Sequence, residues 1–229
     1  MKLDYVPHRS HAAEIVDVCE RLHKRNLLAS ADGNVSVRID NEQILITPTG
    51  MSKARLKTSD LATIDLANRI LDGKPSGERL MHLEVYKHCP KAKAVVHAHP
   101  PTAIAFTIAG ESLAHCVLPE VVLTLGRIPT APYQTTGTRE LAGVVGNLAL
   151  THDAILMDRH GVIALGTDLI DAFGKLEKVE HTAMITHKAR ALGKVLELDC
   201  NEVDRLRQLG QKYSSNGQLP PICELSLIH

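Results

Sequence analysis

Apolar residues along the 229-residue chain change their period several times, and each change predicts an element. Ala12, Ile15, Val16, Cys19 and Leu22 recur at the 3–4 spacing of an amphipathic helix over residues 11–25, with Ser10 as its N-cap. Asp32-Gly33-Asn34 is a turn signal, and residues 35–39 then alternate as a strand does. Asp40-Asn41 turns the chain into a second strand over residues 43–47, which Pro48-Thr49-Gly50 breaks. Residues 60–64 and 69–71 read as short strands, closed by Asp72-Gly73-Lys74-Pro75. Residues 79–88 pattern as a helix, residues 94–99 as a buried strand ended by Pro100-Pro101, and residues 102–108 as another helix. Strands at 155–157 and 162–165 meet at Arg159-His160-Gly161, and residues 168–196 and 204–213 read as a long and a shorter helix. Strands mixed with helices, without regular βαβ spacing, predict the α/β class: a three-layer α/β/α domain on a mainly antiparallel sheet. The length suits a single domain over 1–229.

Composition narrows the function. Twenty-six basic residues balance 26 acidic ones, so an anionic ligand must be caught by a local site rather than a global field. Aromatic residues make up 3% of the chain and Trp is absent, which argues against a base-stacking nucleic-acid surface. Five scattered cysteines, never spaced as CxxC, suit reduced thiols. The first residues carry no signal-peptide pattern and no window approaches a membrane span, so the expectation is a cytoplasmic protein with neither nucleic acid nor membrane as partner.

Thirteen histidines raise the question of which ones cluster. His97 and His99 stand two apart on a strand, where alternation puts both imidazoles on one face and lets them address one ion. Backbone hydrogen bonding at a strand end is the other account of such a pair. His160, at the tight turn between two apolar strands, adds a third donor. Three histidines leave a fourth position open, the pattern of catalytic rather than structural metal sites. Glu78, in Pro75-Ser76-Gly77-Glu78 at a helix start, either favours the helix dipole or projects toward the metal. Ser76, Gly77 and the helix N-terminus form an anion site in the second case. Residues 33–36 and 47–53 are further small-residue loops suited to phosphate. The Glu177, Glu180 and His181 group is read as surface pairing along a helix.

Taken in order, GNVSVR, ITPTGMSK, SGERLMH, AVVHAHP, APYQTTGTREL and DRHGVIALG resemble the class II aldolase/adducin-head family. Its members include L-fuculose-phosphate aldolase and L-ribulose-phosphate 4-epimerase. The likeness runs from about Gly33 to about Leu196. It implies a homotetramer with active sites between subunits, and a small phosphorylated sugar as substrate. Zinc, with manganese or cobalt as substitutes, would be held by His97, His99 and His160, with Glu78 as fourth ligand and later proton carrier. Gly33, Asn34, Thr49, Gly50, Ser76 and Gly77 would hold the phosphate.

The implied reaction cleaves a ketose 1-phosphate to dihydroxyacetone phosphate and a short aldehyde through a zinc-stabilised enediolate. A glutamate at position 78 favours aldolase over epimerase, which carries aspartate there. The tyrosine that serves the fuculose-phosphate aldolases as acid is missing from residues 115–121, so Glu120 is expected in that role, with Tyr213 as a further catalytic candidate. The apolar stretch 118–125 suggests a deoxy or methylthio substrate. The rival reactions are decarboxylation of a 3-oxo-tetronate 4-phosphate and sugar-phosphate dehydration. A non-catalytic adducin-head-like module is disfavoured by the retained histidines and Glu78.

Overall fold

A computed structural model describes residues 7–210; Tyr213 lies outside them. The described residues form one eight-stranded sheet in the order β4-β3-β2-β1-β5-β8-β7-β6. The strands are β1 (Asn34–Arg38), β2 (Gln43–Ile46), β3 (Ala62–Asp65), β4 (Ile70–Asp72), β5 (Ala94–Ala98), β6 (Thr130–Ala131), β7 (Ala154–Met157) and β8 (Gly161–Gly166). Every pairing is antiparallel except β6 with β7, as the expected fold class requires.

Alternation along the strands separates two cores. Val35 and Val37 of β1, Val96 and Ala98 of β5, and Val162 and Ala164 of β8 face α1 (Pro7–Lys24), α3 (Pro101–Ile108) and α6 (Leu169–Leu192). Val95, Ile163 and Leu165 face the opposite way, toward α2 (Arg79–His88) and α5 (Arg139–Ala149). Helices on both faces of the sheet make the three layers. A third, small cluster joins α4 (Pro119–Thr124) to α7 (Cys200–Gly210) through Cys116, Val122 and Val203.

Several expectations move. The first helix begins at Pro7, so Ser10 lies in its first turn rather than capping it; proline is tolerated there because the first amides of a helix lack partners anyway. The long helix stops at Leu192, where Gly193 follows, and is capped by the Asp168 carboxylate accepting the Asp171 amide at 2.8 Å. Glu177 and Glu180 do not pair along that helix. Glu177 meets Arg25, and Glu180 is buried and accepts the first amides of α3, from Thr102 and Ala103. Within residues 118–125, α4 and its caps spend Val121, Val122 and Leu125 on the protein's own interior and leave Leu118 and Leu123 half-buried.

Candidate metal centre

Strand β5 carries His97 at the sheet's centre, fully buried on the α2 face. Its Nδ1–H donates to the Val162 carbonyl at 2.9 Å across the β5–β8 ladder, which leaves the Nε2 lone pair facing the site. His99 follows just beyond the strand, its Nε2 3.1 Å from that of His97. His160 is displayed by the β7–β8 turn, where Arg159 adopts a left-handed φ of 53° and donates its amide to Thr107 Oγ1. Gly161 follows because nothing larger fits: a Cβ there would stand 2.5 Å from the Ala98 carbonyl and 2.9 Å from the His99 ring.

Glu78 sits at the N-terminus of α2 and closes the group. Its Oε2 is 3.4 Å from His97 Nε2 and its Oε1 3.0 Å from His160 Nε2. Burial raises the carboxyl's pKa, but the close approach of His160 and His97 outweighs it and holds Glu78 well below the usual carboxylate range. Burial, then the neighbouring His97 and His160, lowers the His99 pKa to about 3, so that imidazole is neutral and its nitrogen can bind an ion.

These residues fit a divalent metal. Among the described residues, Glu78 Oε1 and His160 Nδ1 are buried without hydrogen-bond partners, a cost that a bound cation nearby would offset for the carboxylate. The spacings of 3.0, 3.1 and 3.4 Å are close to the edge of about 3.3 Å of a tetrahedron with zinc–ligand bonds of roughly 2.0–2.1 Å. The ligand nitrogens of His97, His99 and His160 all lie within 4.8 Å of one another.

The cleft above the histidines has a volume of about 300 Å³ and gathers the three small-residue loops into one wall. Gly33, Asn34, Thr49, Gly50, Ser76, Gly77, Glu78, His99 and His160 all line it. The loops are laced together by the chain itself. Thr49 donates its amide to Lys74 O and Ser76 to Thr47 O, and buried Lys53 donates to Ala31 O and Met51 O at 2.7 and 3.0 Å. Among the described residues the Gly50 and Gly77 amides have no partner, and both lie beside open space. Gly33 is demanded by packing as well: at φ +68° a Cβ would stand 2.7 Å from His97 O.

Lys53, at the end of the loop expected to suit phosphate, lines the cleft, as do Asp32 and Thr136, to which sequence reasoning gave no site role, and His82, also missed, lies beneath it. Asn34, expected at a phosphate, lines the cleft and donates from Nδ2 to Glu78 Oε2 at 2.9 Å while its Oδ1 meets His82 Nε2. Glu120 is exposed in the first turn of α4 and does not line this cleft. His181 and His187 are exposed on α6, away from the cluster.

Residues 13–187 match the sequence profile described as the Class II Aldolase and Adducin N-terminal domain. The chain belongs to that family. Within it, the chain is 35% identical over 174 residues to an L-fuculose phosphate aldolase of Methanococcus vannielii, covering 76% of this chain and 94% of the relative. It is also 34% identical to a 3-oxo-tetronate 4-phosphate decarboxylase of Haemophilus influenzae, over 75% of this chain and 84% of that one. The solved L-fuculose-1-phosphate aldolase of Thermus thermophilus superposes with a TM-score of 0.72 at 31% identity, covering 81% and 98% of the two chains. Class II aldolase membership makes an aldolase- or lyase-type enzyme the supported class. Among the described residues no helix is long and apolar enough to cross a membrane.

Proposed function

We propose that the protein is a cytoplasmic, divalent-metal aldolase that cleaves a ketose 1-phosphate to dihydroxyacetone phosphate and a short aldehyde. The observation that carries this reading is the convergence of three imidazoles and Glu78 with three anion-type loops in one cleft. His97, His99 and His160 would hold zinc, which when bound would supply Lewis-acid stabilisation of the negative charge left on the retained fragment as the carbon–carbon bond breaks.

The remaining steps belong to the chain's own residues. The free amides of Gly50 and Gly77, with the Thr49 and Ser76 hydroxyls, take the phosphate near the N-terminus of α2. Ser76 Oγ accepts the Glu78 amide at 3.2 Å, which leaves its own proton to donate. Lys53 braces the loops, and Gly33 and Asn34, which line the same cleft, complete the proposed phosphate cradle. Glu78 takes a proton at Oε1, the oxygen without a hydrogen bond, while Asn34 keeps Oε2 anchored. Glu120, with Tyr213 as a further group, exchanges the second proton. Glu120 does not line its own chain's cleft, so the proposal places it at a neighbouring subunit's site in a homotetramer.

A decarboxylase of a 3-oxo-tetronate 4-phosphate is the second reading, favoured by the identity to the Haemophilus influenzae relative. Incubating the zinc-loaded protein with a panel of ketose 1-phosphates and 3-oxo acid phosphates separates the two. Release of an aldehyde together with dihydroxyacetone phosphate from a ketose 1-phosphate supports the aldolase; turnover of the 3-oxo acid phosphate alone, to carbon dioxide and dihydroxyacetone phosphate with no aldehyde, refutes it.

A further inference from the structure

Under the cleft, four polar side chains lie in a layer otherwise largely apolar. Asn34 and Ser36 project from β1, and His82 and Tyr86 from the buried face of α2, each with at most 2% of its surface exposed. Burying such groups costs free energy unless every donor and acceptor is matched. Here they form one chain: Tyr86 Oη to Ser36 Oγ at 2.8 Å, Ser36 Oγ to His82 Nδ1 at 2.7 Å, His82 Nε2 to Asn34 Oδ1, and Asn34 Nδ2 to Glu78 Oε2 at 2.9 Å.

The direction of every link follows from the last one. An ionised carboxylate only accepts, so the Asn34 amide must turn its Nδ2–H to Glu78 and its oxygen to His82. His82 must then carry its proton on Nε2. A neutral ring leaves Nδ1 as acceptor, so the Ser36 hydroxyl donates to it and the Tyr86 hydroxyl donates to Ser36. Flipping the amide would set its oxygen against a carboxylate and its N–H against another N–H.

We propose that His82 is a positioning residue: its Nε2–H selects the Asn34 amide orientation that anchors Glu78 beside the histidine cluster. The inference rests on the metal reading given above. Removing the His82 donor frees the Asn34 amide to rotate, and Glu78 loses the contact that holds its Oε2 beside the histidine cluster. Outer partners of this kind change metal affinity by about 10–100-fold when lost.

Cobalt(II) is the probe, with binding measured by chelator competition and by visible absorption, on proteins whose cooperative unfolding has been checked. His82→Leu is expected to bind at least tenfold more weakly with an altered spectrum, and His82→Gln, whose amide N–H can donate where Nε2–H does, to recover most of the loss. The proposal is overturned if His82→Leu matches the parent in affinity and spectrum, or if Leu and Gln variants lose equally. Ring-nitrogen NMR of the metal-free parent needs no variant: a neutral His82 protonated on Nε2 is expected, and an Nδ1–H tautomer overturns the assignment even if His82→Leu fails to fold. A parent that binds no cobalt sinks the metal reading instead, and the tautomer still decides the role of His82.

Discussion

At the scale of single residues, the cluster depends on what is absent as much as on the imidazoles. Gly161 leaves room for the rings of His97 and His99, whose atoms would stand 3.0 and 2.9 Å from any added Cβ. Gly161→Ala should therefore displace the β7–β8 turn, cost about 1–3 kcal/mol of stability and weaken metal binding. A thermal melt and metal analysis of the purified variant check both, and an unchanged metal content would contradict the assignment. His97→Ala should lose metal and turnover together, whereas His181→Ala, on the exposed face of α6, should leave both unchanged. The histidines were legible from spacing because strand alternation fixes which face i and i+2 share. His82 was not: a lone histidine on an apolar helix face shows its meaning only once Ser36 and Asn34, 46 and 48 positions away, arrive beside it.

At the scale of elements, strong periodicity was readable and weak periodicity was not. Helix α2 and strands β1, β2 and β5 fall within a residue or two of their expected bounds because apolar positions and breakers agree there. Helix α5 escaped because Gly143, Val144, Val145 and Gly146 are poor helix formers. Packing explains the exception: a Cβ at Gly146 would stand 2.8 Å from His88 Nδ1 and 3.0 Å from Glu84 Cβ on α2. Tertiary contact between the two helices overrides local preference. The Thr138 hydroxyl caps α5 by accepting the Leu141 amide. Thr138→Ala should cost about 1 kcal/mol and lower the melting temperature by roughly 2–4 °C in a protein of this size. No change in melting temperature would mean that the cap is idle. Helix α4 is too short to show a period, so the run 118–125 read only as an apolar stretch.

At the scale of the whole molecule, the two-sided sheet gives one face to ordinary packing and reserves the end of the other for chemistry. That reservation has a pH signature. Burial, with His97 beside it, holds the His82 pKa down at about 3 in the fold, against 6.5 for an unconstrained ring. Between those values the unfolded chain binds the extra proton, so stability is full above pH 6.5 and falls as pH drops toward 3. His82 contributes a slope of about 1.4 kcal/mol per pH unit, or roughly 2 kcal/mol between pH 6.5 and 5, and His99, held down to about 3 as well, adds to it. Melting curves of metal-free protein across that range should show the loss, and His82→Gln should make it shallower, leaving the share of His99; an equal slope in the variant would contradict the assignment. The α/β/α architecture and most of the cleft were readable in sequence, since the loops at 33–36, 47–53 and 75–78 announce themselves. The lacing of those loops by Lys53 and the Thr47–Ser76 contact was not, because it joins segments that no local pattern connects. Glu120 carries the reading beyond one chain: Glu120→Gln should lower turnover while leaving bound metal at about one ion per chain, and full activity would remove it from the mechanism.

The central claim is that the His97, His99 and His160 cluster works through a bound divalent ion. Its most direct test strips the protein with a chelator and follows dihydroxyacetone phosphate release from a ketose 1-phosphate as zinc is titrated back. The account predicts no release from the stripped protein and full recovery at about one equivalent of zinc per chain. Undiminished release from protein with no measurable metal would contradict it.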